Sequence, residues 1–378
     1  MKIIAFSNGD SNKTSTWSNV PYYFLKAAEK EGVQVVRVDI TPYRNSALLQ
    51  KAVWAYERLH NKLNIGPSFE RSSLHEREVR KIMMNAVKSN PDANLLLTFD
   101  FSHSVADKTD IKTLLLCDWD IEYLITQIDK RIPSEKERKL IEAQDEIIDS
   151  ADYVVSIFPN AFEKMKSKHG NMHYFGTPIN LDEPEFDIDA ALDGRFRSRH
   201  LLFIGKEKYL SGAKELAKAV ESFNLNHNEK FFVDIIGMSK SITGIDSKYV
   251  KHYGYLKKDS EKQWKFYNSL LENAFFFVNT TDNWVGASSI LDTAYLGIPC
   301  IINPNPDLTK TFGEDIYFGY YCRKNSAKEI EKLLCRISEL SKEEYTLLSN
   351  NARVAVKGNT YGEYVKKILS LVTEADNA

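Results

Sequence analysis

The residues best suited to chemistry lie between positions 286 and 292. Gly286, Ala287, Ser288 and Ser289 are small, follow a polar loop and open a helix-length segment. A ligand can therefore approach the backbone closely, and the free N–H groups of a helix start favour an anion such as a diphosphate. Ser288 and Ser289 precede Asp292 by four and three residues, which places all three on one helical face. A carboxylate one turn beyond a phosphate site can accept both hydroxyls of a ribose. The same residue types also cap helices and answer the helix dipole. The local pattern leaves both readings open.

A second group of candidates is His103, Asp100 and Asp118, near the carboxyl ends of expected strands, where α/β sheets bind ligands. Any of them is suited to general-base work; for His103 the alternative is an ordinary loop histidine. Asp118-Trp119-Asp120 has the D-x-D spacing of some metal sites, but Asp187-Ile188-Asp189 repeats it in an unrelated context. No metal is expected. Residues 44–90 carry nine Lys/Arg against four Glu, a net +5, with Trp54 and Tyr56 among them. Such a pair of helices suits an anionic membrane or a lipid-diphosphate acceptor, although a solvated face above a core stripe has the same pattern.

The elements that must position these residues alternate in type. Apolar strand-length runs appear at 2–6, 33–38, 95–99, 113–116, 153–157 and 172–175, with helical periodicity between them. Leu48, Leu49, Ala52, Val53, Tyr56, Leu59 and Leu63 form one helical stripe; Leu74, Val79, Ile82, Met83, Ala86 and Val87 form another. A second α/β series runs from His200, with strands at 201–204, 231–236, 249–253, 275–278, 300–302 and 316–321. Gly297 and Pro299 end the helix that begins near Ala287. Between the series, the acidic, aperiodic stretch 182–199 reads as a linker. The expected class is α/β, in two Rossmann-like domains.

Bulk composition narrows the function. At 43% hydrophobic and 27% charged residues the chain is ordinary globular protein, and its net charge of -2 gives no polycation for nucleic acid. No apolar stretch approaches a membrane span. The opening residues Met1 to Phe6 read as a strand rather than a signal peptide. Four scattered cysteines suggest reduced thiols and a cytoplasmic protein.

The segments of the second half, taken in order, resemble the retaining family-4 glycosyltransferases of the GT-B fold. Leu201 to Lys206 is similar to that family's opening strand and Gly-Arg, with Lys for Arg. Asp234-Ile235-Ile236-Gly237 resembles its next strand and Gly turn, and Tyr253-Gly254-Tyr255 the loop against the donor base. Trp284 to Asp292, then Gly297-Ile298-Pro299, resembles the E-x7-E segment and its ending. Trp284 stands for the first Glu and Asp292 for the second. Ser211 stands for the phosphate-binding Lys ahead of Gly212, and Asn303 to Asp307 replaces a glycine-rich turn. In the first half, 151–156 and Thr177-Pro178-Ile179-Asn180 are similar to family segments. The usual double-Gly loop is absent from 12–19, and a frequent His-Asp pair reads Cys117-Asp118.

The resemblance implies two domains facing across a cleft. Residues 1–181 would bind the acceptor, 182–199 link, 200–360 bind the nucleotide sugar, and a C-terminal helix, 361–378, return to the first domain. It implies sugar transfer from a nucleotide-sugar co-substrate to a glycan or lipid-linked acceptor in polysaccharide or glycoconjugate synthesis. Retention, no metal and no further cofactor go with it. The donor would meet Lys206, Lys208, Gly237, Tyr253, Gly254, Tyr255, Trp284, Ser288, Ser289 and Asp292; His103 and Asp118 are the catalytic candidates. The place would be the cytoplasm, with peripheral attachment at the inner membrane face through 44–90. A nucleotide-sugar epimerase of the same fold and a non-catalytic, partner-binding subunit are the alternatives.

Overall fold

The computed structural model describes residues 1–43, 47–63, 69, 72–181, 183–282 and 288–374. The chain divides into two compact units, Met1–Gly176 with Tyr361–Ala378, and Thr177–Thr360. Among the described residues no helix is long and apolar enough to cross a membrane.

The first unit holds six strands: β1 (Lys2–Ser7), β2 (Gln34–Asp39), β3 (Leu95–Thr98), β4 (Lys112–Cys117), β5 (Tyr153–Ser156) and β6 (Met172–His173). All pair in parallel, in the order β2-β1-β3-β4-β5-β6. The second holds β7 (His200–Ile204), β8 (Phe232–Ile236), β9 (Val250–Gly254), β10 (Ala274–Asn279), β11 (Cys300–Ile302) and β12 (Gly319–Tyr321). These are also parallel, in the order β12-β11-β10-β7-β8-β9. Central strands such as Leu95–Thr98 and Ala274–Asn279 are buried along their whole length, as helices on both faces require. Each order reverses once, between β1 and β3 and between β7 and β10, and there the carboxyl ends leave a crevice.

The last helix, Tyr361–Glu374, completes the first unit. Tyr361, Tyr364, Val365, Ile368 and Val372 are buried in one cluster with Tyr23, Phe24 and Leu25 of the helix Val20–Lys30. Tyr23 stacks on Tyr361 with centroids 5.9 Å apart, and Phe24 meets Tyr364 edge-on at 6.5 Å.

Three expectations are corrected. The stretch 182–199 is not an aperiodic linker, because it carries the helix Ile188–Ser198 of the second unit. Asp187 caps it, accepting from the Asp189 and Ala190 amides, so part of the acidic crowding is capping. Arg195 of that helix is fully buried, and its guanidinium donates to the carbonyls of Leu271 (3.2 Å), Glu272 (3.1 Å) and Leu296 (2.7 Å). In the helix Ser73–Ser89 the buried row is His75, Val79, Met83 and Val87, whereas Leu74 is half exposed. In the expected stripe of the helix Ala47–Leu63, Leu48, Leu49, Ala52, Tyr56 and Leu59 are exposed and Val53 is half-buried, while the Leu63 side chain lies outside the described residues.

Tyr364 gives a test of the returning helix. Its ring is buried, and its hydroxyl has no hydrogen-bond partner. Tyr364→Ala should cost about 3–5 kcal/mol in denaturant unfolding, as for other buried aromatic truncations. Tyr364→Phe deletes only the unpaired hydroxyl and should leave stability unchanged or raised. A large loss from the Phe variant would contradict this packing.

Candidate functional site

In the second unit the reversal between β7 and β10 is closely packed. A Cβ on Gly237 would collide with the Gly205 carbonyl oxygen, and Gly237 has φ +99°, so only glycine fits there. The Gly205 amide donates to Ile236 (2.9 Å) and the Gly237 amide to Gly254 (2.7 Å), which ties the carboxyl ends of β7, β8 and β9 together. A Cβ on Gly212, in the first turn of the helix Leu210–Asn226, would collide with the Thr281 hydroxyl. These ends are thus presented as nearly bare backbone, a surface on which a flat or anionic ligand can rest.

The side chains around that surface are partly committed. The exposed Lys206 and Lys208 lie over the rings of Tyr255 (5.5 Å) and Tyr209 (4.9 Å). Tyr255 is 60% exposed and available for stacking. Tyr253 donates its hydroxyl to Asp234 (2.8 Å), which also meets His200 Nδ1 (2.6 Å). Burial and that carboxylate push the Tyr253 phenol well up.

Asp292 and Ser289, expected on one face, have different surroundings. Ser289 lines a recess of about 10 Å³ with Asn279, Thr281 and Asn305, room for roughly one water. Ser288 opens the helix Ser288–Tyr295 and is half-buried. Trp284, Gly286 and Ala287 lie outside the described residues. Asp292 is buried; Oδ1 accepts the Asn180 amide at 2.8 Å and Oδ2 stands 3.8 Å from Lys258 Nζ. Lys258 also donates to the Asn180 carbonyl at 2.9 Å. Burial raises the Asp292 pKa to about 6, against the opposing pull of Lys258 and the amide. Asn180 and Lys258 were missed as partners. Asn180 belongs to the Thr177–Asn180 segment, and Lys258 follows Tyr253-Gly254-Tyr255, so both lay beside motifs already singled out.

The first unit has a cavity of about 620 Å³ at its own reversal between β1 and β3. Asn8, His75, Asp100, Ser102, His103 and Gln144 are among the residues that line it. Asp100 Oδ1 accepts the amides of Ser102 (2.8 Å) and His103 (2.9 Å); Oδ2 meets His103 Nδ1 (3.0 Å) and Asn8 Nδ2 (3.2 Å). Burial opposes ionisation of Asp100, but His103 and the two amides outweigh it and hold the carboxyl below its usual range. The Asp100 carboxylate holds His103 through Nδ1 and so fixes the orientation of its ring. Burial, then His103, keep the pKa of His75 below the ordinary histidine value.

Asp118 is not among the residues lining this cavity. It lies at the end of β4 against Cys117 (3.1 Å) and the Trp119 amide (3.2 Å), and burial raises its pKa. Asp120 caps the next turn through the Tyr123 amide (2.6 Å), so the second D-x-D carboxylate has a structural task.

No family model and no curated protein matches the chain. Solved structures do. A sucrose-phosphate synthase from Thermosynechococcus elongatus superposes with a TM-score of 0.68 at 12% identity, over 100% of this chain and 99% of its own. HepE of Anabaena, in complex with UDP and glucose, gives 0.61 at 10%, over 98% and 99%. A Listeria monocytogenes protein assigned as a UDP-N-acetylglucosamine 2-epimerase gives 0.58 at 12%, over 100% and 97%. The chain therefore has the GT-B fold, an α/β chain of two Rossmann-like units.

Asp292 makes a pH test of its surroundings. Its folded pKa, about 6, lies above the unfolded value, so the folded chain holds the extra proton between the two. Its contribution to stability falls as pH rises through that window and is constant above it. Asp292→Asn keeps an acceptor for Asn180 and removes the titration. Thermal unfolding of both proteins should show the Asn variant gaining on the parent from about pH 4 to about pH 6. A difference independent of pH would remove Asp292 from this burial argument.

Proposed function

We propose that this protein is a glycosyltransferase that moves a sugar from a nucleotide-sugar donor to a hydroxyl acceptor. The observation that carries the reading is the β7/β10 reversal of the second unit. Bare glycine backbone, two exposed lysines, an exposed tyrosine and a buried carboxylate beside a lysine gather on the elements around it. In this reading Tyr255 stacks on the base and Asp292, supported by Lys258, takes the ribose hydroxyls. Lys206, Lys208 and the Ser288–Ser289 amides receive the charge that grows on the departing nucleoside diphosphate. The full-length likeness to structures that include a UDP- and glucose-bound protein agrees with it.

Retention and independence of metal follow from the family resemblance and belong to the same proposal. The experiment is turnover of a panel of nucleotide sugars with product analysis, with and without chelator. Transfer, epimerisation of the donor, or neither separates this reading from the two alternatives, and the product anomer reports retention. Within it, Asp292→Asn should weaken donor binding by about 1.5–3 kcal/mol, the range for a hydrogen bond to a charged group. The loss should fall on affinity rather than kcat, because the ribose is remote from the bond that breaks. Calorimetry showing undiminished affinity would withdraw Asp292 from the donor site.

The cytoplasm is the proposed place of action, supported by four free cysteines. The exposed face of the helix Ala47–Leu63 supports peripheral attachment to an anionic membrane. Leu48 is 82%, Trp54 62% and Leu59 58% exposed, Lys51 is exposed beside them, and Arg58 lies 5.2 Å over the Trp54 ring. Apolar area and basic charge together set such binding. The protein should sediment with phosphatidylserine vesicles and less with phosphatidylcholine ones, and replacing Leu48, Trp54 and Leu59 by Ser should abolish the difference. Equal sedimentation of parent and variant would exclude this helix.

A further inference from the structure

The cavity of the first unit carries chemistry that the donor site does not use. Its volume, about 620 Å³, suits a small molecule. It lies where an open parallel sheet receives ligands, at the carboxyl ends of β1 and β3. Two side chains on its wall are unusual for a merely structural hollow. His75 is only 4% exposed, and its Nδ1 has no hydrogen-bond partner. A buried polar atom left so costs free energy, and a ligand hydroxyl would relieve that cost. His103, with rings 5.7 Å centroid to centroid from His75, is oriented through Nδ1 by Asp100.

The charge of the wall selects among ligands. Asp100 sits on the floor, while Glu76 and Glu146 are exposed at the rim. Among the described residues that line it, Arg80 is the one Lys or Arg, and both oxygens of Asp107 hold its guanidinium at 2.5 and 2.6 Å. Carboxylates and committed cations disfavour a phosphate or diphosphate group. The unpartnered His75 imidazole and the Glu76 and Glu146 carboxylates favour hydroxyls.

We infer that this cavity binds an uncharged polyhydroxylated molecule, a free sugar or sugar alcohol, through His75 and His103, the latter oriented by Asp100. The inference deepens the glycosyl-transfer reading, since such a molecule would be the acceptor, and it counts against lipid diphosphates and sugar phosphates in that role. His75 Nδ1 and the His103 ring, which Asp100 orients, hydrogen-bond the molecule's hydroxyls.

The test is calorimetry on the full chain without nucleotide. The probes are neutral monosaccharides, disaccharides and sugar alcohols, each beside its phosphate ester. At least one neutral probe should saturate the protein below about 10 mM, a weak affinity in the millimolar class. Its phosphate ester should bind about tenfold more weakly or not at all, a like-charge penalty. His75→Leu extends the buried apolar row of its helix and should fold; it should weaken binding about tenfold, the cost of a lost hydrogen bond. His103→Gln, which leaves that row intact, should weaken it as well. No saturation by any neutral probe, a phosphate ester that binds more tightly, or binding unchanged in both variants would overturn the inference. If donors turn over while neutral probes fail, this inference alone falls. If neutral probes bind and no donor does, the transferase reading falls and the cavity remains a sugar site.

Discussion

Both candidate sites follow from one constraint on parallel sheets. A strand that reverses the direction in which such a sheet grows must start beside the first strand, so the loops leaving the two central strands diverge to opposite faces. In this chain that happens between β1 and β3 and again between β7 and β10. The hollow with Asp100 and His103 and the glycine-backed surface near Gly205 are consequences of strand order. Side chains then decide what each crevice can hold. The first is lined by hydrogen-bonding side chains and the second is largely bare backbone.

Within the second unit, Arg195 holds together the elements that carry the site. Its guanidinium binds carbonyls at the ends of the helices Glu261–Asn273 and Ser288–Tyr295, where partial negative charge collects. A buried cation is costly, and burial lowers its pKa, yet these carbonyls meet much of its donor capacity. The helix that presents Asp292 is therefore pinned at its far end by a residue from 182–199. The Asn180 amide and Lys258 fix it near the carboxylate itself.

The strands were legible because buried parallel strands are continuous apolar runs; Leu95 to Phe99 and Phe275 to Val278 needed no tertiary information. The glycines after β7 and β8 and the helix that carries Asp292 were legible as elements through local spacing and the family resemblance. The helix Ile188–Ser198 was hidden by the charges around it: Ile188, Ala191, Leu192 and Phe196 recur at helical spacing and pack inward, but the buried Arg195 among them reads in sequence as a surface charge. The place of His75 was hidden by Leu74, which invites burial but points the wrong way by one residue. The first-unit cavity was hidden for a different reason. Asn8, His75, Asp100 and Gln144 come from four separate segments, and no short motif encodes their meeting.

The returning helix has a consequence for synthesis. A ribosome releases the chain from the amino end, and domains generally fold as they emerge. The second unit is complete once residue 360 is out, whereas the first, begun earlier, still lacks Tyr361, Tyr364, Val365 and Ile368 from its core. The unit translated first is thus the last to close. Until Tyr361 to Val372 have emerged, the face of the helix Val20–Lys30 that receives Tyr364 is uncovered apolar surface.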